Sequence, residues 1–179
     1  RIYYIGRMTE QKGIDILYKT ILNVSRTNEF SNMEFYFVGR GDQERYLEEL
    51  EKTFSNCHFL GFQHDVIKLY HKADITIAPS RWEGFPYAIL EAQSCGTPVV
   101  TTESEGCKDI IYHRKNGWIS KIDDIDMISK NITEAYFLWE KDFKKFKQMG
   151  LFARKNIENN YNENNISKKI ENFIHRKWK

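Results

Sequence analysis

Apolar residues along this chain switch between two patterns. Short β-branched and aromatic runs at 2–5, 34–38, 57–60, 74–78 and 99–102 are continuous rather than alternating, as in strands buried on both faces. Between them the apolar residues recur at helical spacing. In 14–27, Ile14, Leu17, Ile21 and Val24 share one face, and helices are also predicted over 42–53 and 65–71. A short helix at 108–112, a turn at Asn116-Gly117 and a small strand at 118–120 follow. Beyond that only helices are predicted, over roughly 124–139, 143–160 and 165–178. Strands alternating with helices at this spacing predict an α/β fold: a doubly wound parallel sheet, helices on both faces, and extra C-terminal helices. No repeat or low-complexity linker interrupts the chain, and the Asn-rich stretch 159–165 reads as a polar break between helices.

The stretch 79–100 organises the rest. The run Ile75-Thr76-Ile77-Ala78 stops at Pro79. Pro86 suits the first position of a helix, where its missing N–H is no loss. Gly96 suits the left-handed stop after that helix, and Pro98 prevents its continuation. Glu83, Tyr87 and Glu91 stand at i, i+4 and i+8, so a helix through all three puts them on one stripe. Phe85, Ile89, Ala92 and Cys95 then form an apolar stripe expected to pack on the sheet. A helix opening after a Gly-containing loop also offers free N–H groups to an anion. A positive helix end beside two carboxylates suits a ligand with both phosphate and hydroxyls, such as a sugar nucleotide.

In parallel sheets ligands bind beyond the C-terminal strand ends. That rim collects Arg7 and Lys12, then Gly39-Arg40-Gly41, then Gly61 and Phe62, then the Glu83–Glu91 unit, and last residues 101–105 with Gly106. Arg7 and Lys12 are the best phosphate ligands, one a planar fork and the other a point charge. The Gly39–Gly41 turn is a weak motif alone. Glu44 stands where a dinucleotide-binding G-x-G-x-x-G needs Gly or Ala, and the first strand lacks that fingerprint, which argues against an NAD enzyme. The five histidines show no metal-ligand spacing and no D-x-D or other metal-binding cluster stands out, so no metal or other cofactor is expected.

The string E-G-F-P-Y-A-I-L-E-A-Q-S-C-G-T-P-V-V resembles the E-x-x-x-x-x-x-x-E signature of the retaining GT-B glycosyltransferases, the group 1 or family 4 type. In G-R-M-T-E-Q-K-G the first loop resembles that family's G-R-x-x-x-x-K-G phosphate-binding pattern, and Gly39-Arg40-Gly41 resembles its G-x-G turn below the nucleotide. The resemblance covers roughly 1–120 well and the helical tail at about 124–179 loosely. It implies a Rossmann-like half of a GT-B fold: the nucleotide-sugar-binding domain, spanning 1–179, without the N-terminal acceptor domain. It implies that Arg7 and Lys12 hold the donor diphosphate and stabilise it as leaving group. It also implies that Glu91 takes the ribose hydroxyls and Glu83 those of the transferred sugar. The backbone of Gly84, Phe85, Pro86 and Tyr87 would meet the sugar or phosphate, Gly39 and Gly41 would lie below the nucleotide, and Phe62 would contact the base. The expected ligand is a UDP- or GDP-linked sugar, the expected acceptor a saccharide or lipid-linked hydroxyl, and the expected partner the N-terminal domain of the same parent chain. No role is carried over for Arg81.

Composition changes this picture little. With 179 residues, 41% hydrophobic and 29% charged, the chain reads as one soluble globular domain. No apolar run reaches membrane-spanning length and no signal peptide is visible, so a cytoplasmic location is expected. The net charge of +2 hides an asymmetry: 141–179 holds 11 Lys/Arg against 4 Asp/Glu, while 1–140 is net negative. Such a basic tail suits a solvated helix face first and peripheral contact with a membrane second; nucleic acid is not an expected partner. Cys57, Cys95 and Cys107 form no C-x-x-C pair and read as reduced thiols. The chain opens directly on a strand without Met, which suggests a fragment. Two other classes fit the same residues: a sugar-nucleotide-binding module without chemistry, and a sugar-nucleotide epimerase of GT-B fold.

Overall fold

The computed structural model describes residues 1–162 and Ser167; the helix expected at 165–178 lies outside the described residues except for Ser167. The strands are β1 (Ile2–Ile5), β2 (Phe35–Val38), β3 (Cys57–Gly61), β4 (Ile75–Ala78), β5 (Val99–Thr102) and β6 (Gly117–Ser120). The helices are α1 (Ile14–Val24), α2 (Arg45–Thr53), α3 (Val66–Lys72), α4 (Tyr87–Ser94), α5 (Cys107–Ile110), α6 (Ile125–Lys141) and α7 (Phe143–Asn160). All strand pairs are parallel, in the order β3-β2-β1-β4-β5-β6. The order reverses between β1 and β4, so their loops diverge and open a crevice at the carboxyl edge.

Strand alternation divides the core in two. Ile2, Tyr4, Phe35, Phe37, Ile75 and Ile77 point into one layer, with α1, α2 and α6. Tyr3, Ile5, Val38 and Val99 point into the other, with α3, α4, α5 and α7. Burial on both faces is why these strands read as continuous apolar runs. Asp65, Asp124 and Asp142 cap α3, α6 and α7 by accepting from the third amide onward, at 3.3, 3.0 and 3.0 Å. Along α6, Tyr136 is buried in the core, whereas Trp139 is exposed and meets the exposed Phe143 of α7 edge to face.

Three expected boundaries move. α1 ends at Val24 and gives way to a 3₁₀ turn, Asn28–Asn32. α2 opens at Arg45, because residues 42–44 form a turn whose Gln43 amide donates to the Met8 carbonyl at 2.9 Å. α4 opens at Tyr87. Pro86, at ψ 74°, precedes the helix, and its carbonyl accepts from Ile89 and Leu90. Glu83 therefore lies in the loop before α4 and shares no helix stripe with Tyr87 and Glu91. Phe85 likewise does not pack on the sheet: it is exposed and lies edge-on to Tyr87, 5.0 Å between ring centres. Ile89 and Ala92 are buried against the sheet as expected.

Two glycines let the loops close on one another. Gly13 sits at φ 67°, and a Cβ there would fall 2.1 Å from the Pro79 carbonyl oxygen. Gly39, at φ 137°, would place one 1.9 Å from the Gly6 carbonyl oxygen. Both contacts are with backbone, which cannot rotate away. Gly84 is the control: nothing lies within 4 Å of its would-be Cβ. Gly13→Ala is expected to lower unfolding free energy in urea by about 2–3 kcal/mol. Gly84→Ala is expected to stay within about 0.5 kcal/mol of the parent; equal effects would show that the approach to Pro79 is not the constraint.

Candidate active site

The β1–α1 loop (6–13) and the β4–α4 loop (79–86) are bound face to face. Gln11 Nε2 donates to the Trp82 carbonyl at 3.1 Å, and the Arg81 amide donates to the Gln11 carbonyl at 2.9 Å. The Arg81 guanidinium makes a two-pronged pair with Asp15 at the start of α1, at 2.7 and 2.8 Å, and reaches Asp123 at 3.1 Å. That guanidinium holds the Asp15 carboxyl below its usual range.

Between the loops, Lys12 Nζ meets Glu83 Oε1 at 2.6 Å. Ser80 Oγ donates to the same oxygen at 2.7 Å. The Lys12 side chain is 18% exposed and that of Glu83 is 8% exposed, so the pair is largely withdrawn from water. Ser80 is itself buried, and its carbonyl accepts from Thr102 Oγ1 at the end of β5. Glu83 thus sits where the ends of β1, β4 and β5 meet. Its Oε2 has no hydrogen-bond partner among the described residues. Nearby, the Tyr4 hydroxyl donates to the Arg7 carbonyl at 2.5 Å. Burial, reinforced by the Glu83 carboxylate, pushes this phenol far above its ordinary value, so it stays protonated.

Arg7 is exposed, and its closest polar side-chain neighbour is Gln11 Oε1 at 3.4 Å. Arg7, Gly39, Arg40, Phe62 and Gln63 line a cavity of 410 Å³ floored by Ile5 and Val38. Phe62 is 62% exposed, so it belongs to the surface rather than the core. Gly41 lies against the Met8 backbone, and Met8 N–H donates to the Arg40 carbonyl at 2.8 Å. Arg40 is paired with Glu44 at 3.4 Å and lies over the Phe59 ring. Arg7 is therefore the cation of this cavity with no acidic partner among the described residues.

Glu91 is exposed on α4 and accepts from the Tyr70 hydroxyl at 3.1 Å. With Phe85 and Tyr87 it lines a second cavity, of 640 Å³. Val66 of α3 lines the first cavity and Ile67 the second, and no described residue lines both. The structure thus joins Lys12 to Glu83, and Arg7 to Gly39 and Phe62. It places Glu91 in the second cavity. In the β4–α4 loop, the Gly84 and Phe85 amides make no hydrogen bond among the described residues, Tyr87 N–H is taken by the Phe85 carbonyl at 2.9 Å, and Pro86 is buried. Tyr70, Gln11 and the Arg81–Asp15 pair were not indicated by sequence, and Ser80, which resembles the family's P-S before the acid motif, carried no role. Ser80 acts on Glu83 three positions on, whereas Tyr70, Arg81 and Gln11 act on partners 21 to 71 positions away, which no local spacing encodes.

The family model "Glycosyl transferases group 1" matches residues 1–136. The chain belongs to the group 1 glycosyltransferases. It is 32% identical to an uncharacterized glycosyltransferase of Methanocaldococcus jannaschii, over 96% of this chain and 43% of that protein. It is 31% identical to the N,N'-diacetylbacillosaminyl-diphospho-undecaprenol alpha-1,3-N-acetylgalactosaminyltransferase of Campylobacter jejuni, over 74% of this chain and 34% of that protein. Its fold matches S. aureus TarM, solved with Fondaparinux, alpha-GlcNAc-glycerol and UDP, at a TM-score of 0.84 and 24% identity; the match covers 96% of this chain and 34% of TarM. The chain therefore spans between a third and a half of the length of these proteins. The sheet is the Rossmann-like half of a GT-B glycosyltransferase. No helix among the described residues is long and apolar enough to cross a membrane.

The Lys12–Glu83 contact is a testable interaction. Removing one member of a withdrawn ion pair strands the other. Lys12→Met is expected to lower unfolding free energy in urea by on the order of 3 kcal/mol. Adding Glu83→Gln to it should recover most of that loss. Additive losses in the double variant would mean the two side chains are not coupled.

Proposed function

We propose that this chain is the donor-binding domain of a retaining, metal-independent hexosyltransferase. The parent enzyme moves a hexose from a nucleotide-sugar to a hydroxyl on a saccharide or lipid-linked acceptor, in polysaccharide or glycolipid synthesis. The observation that carries this reading is the Lys12–Glu83 contact at the β1/β4 reversal. It sets a cation for phosphate beside an acid for hydroxyls, within a family of sugar transferases. TarM, which shares the fold, was solved with UDP, in keeping with a nucleotide at this edge.

The roles follow from the chemistry of each group. Arg7 offers a planar fork to the diphosphate, and Lys12 adds a point charge beside it. Together they stabilise the negative charge that grows on the leaving nucleoside diphosphate as the sugar bond breaks. Preorganised donors of this kind typically supply about 3–4 kcal/mol each. Glu83 Oε2 accepts from the transferred sugar, and the Gly84 and Phe85 amides are free to donate to it. Glu91 accepts from the ribose hydroxyls. The base rests against Phe62, above the Gly39–Gly41 turn. The acceptor and the remaining walls of the cleft come from the N-terminal domain. The reading assigns the growing charge of the leaving group to Arg7 and Lys12 and calls on no metal. The reading also places the enzyme in the cytoplasm, where nucleotide-sugars are made, with the basic segment after residue 140 available to a membrane face.

Thermal melting of the full-length protein with UDP-, GDP- and ADP-sugars tests the assignment. One nucleotide class should raise the midpoint in proportion to its affinity. Arg7→Ala, on an exposed side chain, should weaken that ligand about 10- to 100-fold. An unchanged shift in Arg7→Ala removes Arg7 from the diphosphate. Glu83→Ala should abolish transfer while nucleotide binding survives, and the anomeric proton coupling of the product should report retention.

A further inference from the structure

Tyr70 is buried to 0% exposure in α3, yet it ends in a hydroxyl. Its ring packs in the layer that holds Tyr3, Ile5 and Leu90. Its backbone is tied separately, the carbonyl accepting from Thr97 Oγ1 at 2.9 Å. The ring therefore has little freedom, and its one polar atom emerges at Glu91 Oε2, 3.1 Å away. Burial first, and the Glu91 carboxylate second, push the phenol well above its ordinary value, so the proton stays on Tyr70.

Glu91 needs such a partner. It stands on the exposed side of α4, where an unheld glutamate samples many rotamers, at a cost of about 1.5–2 kcal/mol when a ligand later fixes it. A carboxylate has roughly four acceptor positions. Tyr70 takes one, and Oε1 keeps no partner among the described residues. A leucine or phenylalanine would fill the Tyr70 site equally well if packing were the only requirement.

We propose that Tyr70 is a positioning residue: its hydroxyl holds the Glu91 carboxylate in the rotamer that receives the ribose hydroxyls of the donor. This rests on the reading of Glu91 given above. Tyr70 touches no substrate and acts only through Glu91.

The test measures Kd by calorimetry on the full-length protein for UDP and 2′-deoxy-UDP, or for the matching GDP pair if GDP is the nucleotide that binds. The variants are Tyr70→Phe, Glu91→Gln and the double. Tyr70→Phe should weaken UDP about three- to tenfold, the worth of one hydrogen bond, and 2′-deoxy-UDP, which offers Glu91 one hydroxyl fewer, by a smaller factor. In the double variant the effect of Tyr70→Phe on UDP should vanish. Equal weakening of both nucleotides, or no weakening at all, would leave Tyr70 a packing residue and overturn the proposal. If Glu91→Gln itself ignores the 2′-hydroxyl, the ribose assignment falls and Tyr70 with it. If neither pair binds the parent protein, the donor-binding reading fails first.

Discussion

A lysine and a glutamate 71 positions apart share one oxygen contact at the carboxyl edge of the sheet, and the site is built outward from it. The contact requires the loops after β1 and β4 to touch, which neighbouring strands with diverging connections permit. Gly13 allows the backbones to close, Gln11 and Arg81 fasten them, and Ser80 aims the carboxylate. An ion pair this withdrawn from water is weak evidence of net stability, because desolvation offsets much of the attraction. Its consequence is geometric: neither side chain can leave without stranding the other, so both loops keep one register.

The same edge shows how charge is distributed. Lys12 is matched by Glu83 and Arg40 by Glu44, while Arg7 has no acidic partner among the described residues. The cations are not pooled into a broad basic patch. Field strength is concentrated at one exposed guanidinium beside a cavity with an apolar floor. Such a floor suits a planar base, and the guanidinium beside it suits a phosphate.

The fold was legible in the sequence because β1, β2, β4 and β5 are buried on both faces and so appear as unbroken apolar runs. The rim was legible for the same reason: once the strands are placed, topology alone gathers the loops after them. Two things were not legible. The start of α4 was misplaced because Pro86 suits a helix opening by its fixed φ, but its ψ of 74° here makes it the residue before the helix. Carrying the helical spacing back through the loop to 83, ahead of even a Pro86 start, put Glu83 on a helix stripe and Phe85 on the sheet, when Glu83 is drawn inward by Lys12 and Ser80 and Phe85 is left outside. The partners between elements, Arg81 with Asp15 and Tyr70 with Glu91, were invisible because nothing in local spacing relates residues 66 or 21 positions apart.

On the proposed reading, the ion pair also bears on which ligand the site prefers. A diphosphate that approaches Lys12 competes with Glu83 for the same ammonium. Free nucleotide satisfies the lysine but leaves the glutamate, 8% exposed, short of a partner. A nucleotide-sugar offers phosphate to Lys12 and hydroxyls to Glu83 in one molecule, so both charges exchange partners together. The cost of opening the pair is then offset only when sugar and phosphate are still joined. As the bond between them breaks, the leaving diphosphate gains negative charge and draws more strongly on Lys12 and Arg7. One contact, closed in the free chain, thus favours the intact donor over its product and the charge-separated state over both.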